Sequence, residues 1–149
     1  MGVFGSTFLE AQERMTEYNN KFDLFDSQNQ LEKLNEFYLK KYQQHKNDQD
    51  LAYAIYSEIY LHDKDTLGNI KRAYEIIRHS KETSELRSRG YFWAAVFLET
   101  SALDLSMEYL KKSVKLNETY NFGLEKMLAY HVMGRIYYKK NKYPEALYY

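Results

Sequence analysis

The chain has 149 residues, 44% hydrophobic and 28% charged, with one proline and six glycines. That composition suits a single packed domain and excludes a disordered chain. Its 21 basic and 21 acidic residues leave no net charge, which argues against a general nucleic-acid binder, because neutralising phosphates needs a basic excess. Without cysteine there is no disulfide framework, thiolate metal site or cysteine nucleophile, and a reducing, cytoplasmic setting is expected.

No apolar run approaches the ~20 residues that a membrane-spanning helix requires, so no membrane partner is expected. The N-terminus, Met1-Gly2-Val3-Phe4-Gly5-Ser6, lacks the basic start and apolar core of a secretory signal. It matches the loose myristoylation pattern M-G-x-x-x-[ST], but an ordinary chain start explains so short a pattern better.

Thr7-Phe8-Leu9-Glu10 reads as a capping box that opens a helix. Phe8, Ala11, Met15, Tyr18 and Phe22 then recur at helical spacing, so this first helix is expected from about Thr7 to Lys21. Ser27 offers a second cap. A helix with Leu31, Leu34, Tyr38 and Tyr42 on one face follows, to about Lys46, and the polar segment from His45 to Asp50 reads as a turn. These first 49 residues form a helical hairpin, expected to be a cap or a degenerate repeat.

From Asp50 the pattern changes. Tyr53, Tyr56, Ser57 and Tyr60 stand in the order large, large, small, aromatic, and the same order returns as Tyr130, Met133, Gly134 and Tyr137. Between them, Trp93, Ala94 and Phe97 take these roles, with Gly90 in place of the first large residue. Each has a following helix. Thr66 is the expected cap of the one carrying Ile70, Ala73, Tyr74 and Ile77, and Ser106, Leu110, Ser113 and Val114 mark the next, ending in a turn from Asn117 to Gly123. The small residues recur at 94 − 57 = 37 and 134 − 94 = 40 positions. After Tyr137 come a polar break, Tyr143, Pro144 and the pair Ala146-Leu147, and proline suits the first turn of a helix.

The stretch from Tyr130 to Leu147 resembles the first two-thirds of a tetratricopeptide repeat, and the resemblance covers residues 50–149, the last unit incomplete. It implies an all-α fold of stacked antiparallel helical hairpins forming a short right-handed superhelix. It also implies a non-catalytic scaffold whose first helices line a groove for a peptide or protein partner. The groove residues so implied are Leu51, Ala54 and Glu58, then Tyr91, Ala95, Leu98 and Glu99, then His131, Arg135, Tyr138 and Lys139. The last set combines basic and aromatic character on one helix face, suited to a carboxylate. The irregular pairs are similar to the sensor domains of bacterial cytoplasmic regulators that bind signalling peptides. No recognition helix for DNA is evident in the first hairpin.

The alternative is a structural module. The chain stops at Tyr149 with Leu147 and Tyr148 exposed and no polar end helix; either it is a fragment of a longer protein, or that end pairs with another copy as a homodimer. No enzyme, cofactor or metal is implied. His45, His62, His79 and His131 lack ligand spacing, and no nucleophile or phosphate-loop motif is present. Lys111, Lys112 and Lys115 read as a solvated helix face with no aromatic residue interleaved.

Overall fold

A computed structural model describes residues 2–82, 84–120, 122 and 124–140, those at 2–9, 11 and 124–127 by their backbone alone. Its elements there are helices: α1 (Gly2–Ser27), α2 (Leu31–His45), α3 (Asp48–Leu61), α4 (Thr66–His79), α5 (Glu85–Leu98), α6 (Leu103–Tyr120) and α7 (Leu124–Lys139). The helices expected before Lys140 are present and differ from expectation at their ends, while the one expected from Pro144, with Tyr143, Ala146 and Leu147, lies outside the described residues. The segment Thr7 to Glu10 falls inside α1 instead of opening it. Ser27 caps nothing: its hydroxyl donates back to the Leu24 carbonyl at 2.7 Å. The turn before α3 shrinks to Lys46 and Asn47, because Lys46 takes left-handed backbone (φ 52°) and the Asn47 side chain accepts from the Gln49 N–H. That Asx cap satisfies one of the four free N–H groups of a helix start.

Asp65, not Thr66, caps α4, its carboxylate accepting from the Gly68 N–H at 3.1 Å. Ser84 caps α5 through the Arg87 N–H, also at 3.1 Å. Asn117 does not begin a turn. It lies in α6, buried, and α6 continues to Tyr120.

Consecutive helices are antiparallel neighbours. Asn35 of α2 donates to the Ala54 carbonyl (2.9 Å) and to Glu58 (3.2 Å) of α3, and Ser88 of α5 meets Ser113 of α6 at 3.1 Å. Alternate helices touch as well, side by side and parallel. Tyr18 of α1 stacks on Tyr53 of α3, Tyr60 of α3 meets Trp93 of α5 edge-on, and Glu99 at the end of α5 binds Arg135 of α7. So α1, α3, α5 and α7 make one layer. In the other, Tyr74 of α4 reaches Tyr109 of α6.

Two apolar clusters fill the space between the layers. The first joins Met15, Tyr18, Leu34, Tyr38, Tyr53, Tyr56, Ile59, Ile76 and Leu86, so α1 and α2 share their core with α3. The second joins Phe92, Met107, Leu110, Val132, Met133 and Ile136. Trp93, partly buried, packs against both. Helix α5 comes close to α4 at Gly90, where a Cβ would stand 3.0 Å from side-chain carbons of both Ile76 and Ile77. That close approach, not a missing large residue, is the reason for glycine there.

Candidate functional site

At the C-terminal end of α5 the last turn places Glu99 against α7. The Arg135 guanidinium donates to both carboxylate oxygens, each at 2.7 Å, and the Lys139 ammonium adds a bond at 3.0 Å. The four-residue step between Arg135 and Lys139 puts both cations on one face of α7. The Glu99 side chain is only 8% exposed, whereas those of Arg135 and Lys139 are 43% and 41% exposed. A buried carboxylate therefore holds two solvent-facing cations, and the group carries one excess positive charge. The Arg135 hydrogen bonds keep the Glu99 carboxyl below its ordinary pKa against the opposing effect of burial, with Lys139 assisting. The Arg135 pKa is raised by the same bonds. Bidentate pairing fixes the guanidinium plane as well as its position.

Three residues of the expected groove thus meet at one place. His131 and Tyr138 lie on the exposed face of α7 beside Arg135, with Tyr138 63% exposed and Leu128 continuing the stripe. The others are elsewhere. Glu58 sits between α2 and α4, accepting from Asn35 and standing 3.6 Å from Arg72. Leu51 is half-buried two turns earlier on α3, Ala54, Ala95 and Leu98 are core residues, and Leu147 and Tyr148 lie outside the described residues.

Tyr91 belongs to a different arrangement. Its ring lies nearly parallel to that of Tyr109, 24° apart in plane with centroids at 5.9 Å, and Tyr74 flanks Tyr109 at the same distance, tilted 46°. The Lys112 ammonium stands over both Tyr91 (5.7 Å) and Tyr109 (5.5 Å). Lys111, Lys112 and Lys115 are exposed as expected, but the expectation that no aromatic residue interleaves with them is overturned. The rings come from α4 and α5 as well as α6. Only Tyr109 and Lys112, three apart on α6, gave a local signal; the other two rings arrive through the fold. Burial, and then Tyr74 beside it, pushes the Tyr109 phenol up.

Among the described residues no cluster of histidine, cysteine, aspartate or glutamate has the makings of a metal site, and no helix is long and apolar enough to cross a membrane. No family model matches the chain, and no curated protein or solved structure matches it either.

Proposed function

We propose that this chain is a non-catalytic scaffold that binds a peptide or protein partner through the exposed face of α7. Its helix pairs then wind as a short right-handed tetratricopeptide-like superhelix, of the kind used as a cytoplasmic peptide sensor. What supports the reading is the Glu99–Arg135–Lys139 group: two solvent-facing cations held in position by one buried carboxylate. Holding long side chains in place before a ligand arrives removes part of the ordering cost of binding. An anionic group of the partner completes the charge balance, and Tyr138 and Leu128 offer apolar contact on either side.

The test is to pan a displayed library of short random peptides against the protein and measure the selected peptides by fluorescence anisotropy. Acidic peptides are expected, with affinity falling about tenfold for Lys139→Gln, the loss of one charge-assisted bond. Arg135→Gln is the companion variant, checked by circular dichroism because it strips Glu99 of its main partner. Peptides selected without acidic residues, or binding unchanged in both folded variants, would sink the proposal.

A further inference from the structure

We propose that Tyr74, Tyr91 and Tyr109 form a cage for a quaternary ammonium group, the choline type of cation, with Lys112 as its resident occupant. The site lies in the α4–α5–α6 part of the molecule and owes nothing to the Arg135 face. Rings from three helices stand side by side there with Tyr109 in the middle, each adjoining centroid 5.9 Å away. A single cation already stands over two of these rings. The face of an aromatic ring carries the negative part of its quadrupole, so such a cluster attracts cations without any hydrogen-bond acceptor. Glu108, the neighbour of Tyr109 in the chain, helps raise the Tyr109 pKa by its negative charge.

The resident lysine is the informative part. Over Phe37, Lys21 closes to 4.5 Å from the ring centroid, whereas Lys112 stays 5.5 Å from Tyr109 and 5.7 Å from Tyr91. Lys112 is exposed, and a primary ammonium is strongly hydrated, so closing on the rings costs it water. A methylated ammonium has no N–H to hydrate and meets the rings with its methyl groups. It therefore displaces Lys112 with a net gain. The hydroxyls are not needed for this chemistry, and the ring faces are.

The experiment is a titration of the full chain with tetramethylammonium chloride at constant ionic strength, followed by NMR of the tyrosine rings. Saturable shifts confined to Tyr74, Tyr91 and Tyr109 are expected, with a dissociation constant of about 1–10 mM, as a few cation–π contacts supply. Lys112→Gln removes the competitor and should tighten binding roughly two- to fivefold. Tyr109→Phe keeps binding and Tyr109→Leu abolishes it. Lys112 is a surface residue, so its variant remains informative even if Tyr109→Leu fails to fold. Absence of saturation in both the wild type and Lys112→Gln, weaker binding in Lys112→Gln, or an equal response to methylammonium would each overturn the proposal. Free choline and phosphatidylcholine vesicles, used in turn as probes, distinguish a dissolved ligand from a lipid headgroup.

Discussion

Tyrosine performs opposite tasks in the two ends of this molecule. In α1 to α3 the rings of Tyr18, Tyr38 and Tyr53 pack on one another at 4.7 to 5.2 Å and are buried. Between α5 and α6 the corresponding space is filled by small polar groups. Ser88, Ser113 and Asn117 exchange hydrogen bonds of 3.0 to 3.3 Å, and the Ser106 hydroxyl donates to the Ala95 carbonyl at 2.6 Å. Large rings hold helix axes apart, and serines let backbones close up. Where serine and alanine do the packing, Tyr74 and Tyr138 stand exposed and Tyr91 and Tyr109 are only partly buried. Both candidate sites lie in that second region.

The sharpest way to break the contrast is Tyr18→Ala. Tyr18 is fully buried, and its loss should cost about 3–5 kcal/mol in urea denaturation, as for other large-to-small core changes. Tyr18, Tyr38 and Tyr53 also have phenol pKa values raised above 10.0, burial being the main cause in each. Ser57 lies near enough to Tyr18 to lower its pKa slightly, but no described group meets hydrogen-bond geometry with the Tyr18 hydroxyl. A raised pKa favours the neutral form in the folded state. The contribution is whole below the unfolded value of 10.0 and is lost as pH rises above it. Tyrosinate absorbance should therefore show a group of tyrosines that ionise only as the protein unfolds in alkali. Simple titration of all 16 before unfolding would contradict this burial.

Overfilling the polar seam is the next test. Ser113→Leu forces a branched side chain where Ser88 and Asn117 already meet, and about 1–3 kcal/mol of destabilisation is expected in the same assay. A neutral result would mean that α5 and α6 are not closely packed there. Glu99→Gln should cost less, about 1 kcal/mol, because its partners are largely exposed. Its pH dependence is more telling. The Glu99 pKa is depressed below 4.5 in the fold, so the wild type's advantage exists above that value and disappears as pH falls through the folded pKa. Urea midpoints that differ between the two proteins equally at low and neutral pH would refute the ion pair. The smallest effect belongs to Ser84→Ala, which removes the α5 cap and should cost about 0.5–1 kcal/mol.

Much of the fold could be read from spacing alone, since apolar residues at helical intervals depend only on each helix having one buried side. Boundaries were harder. Asn117 looked like a turn residue because asparagine prefers loops, but its amide donates to the Ser88 hydroxyl and the Ser113 carbonyl, and tertiary contacts overrode local preference. Glu99, Arg135 and Lys139 are all among the groove residues that the tetratricopeptide resemblance implies, but their pairing is not implied by it; it arises because α5 and α7 lie side by side. Glu58 was placed on the same logic, but its carboxylate is held by Asn35 and Arg72 from the neighbouring helices. The tyrosine cluster could not be found in any one stretch, because its rings come from α4, α5 and α6.

Trp93 gives the molecule a built-in optical probe. It is the single tryptophan, it packs against both apolar clusters, and the rings of Tyr60, Phe92 and Phe97 surround it. Its emission reports the junction of the two regions, and excited tyrosines of the N-terminal cluster transfer energy to it while that junction holds. The distance between the two halves can therefore be followed in solution without attaching a dye.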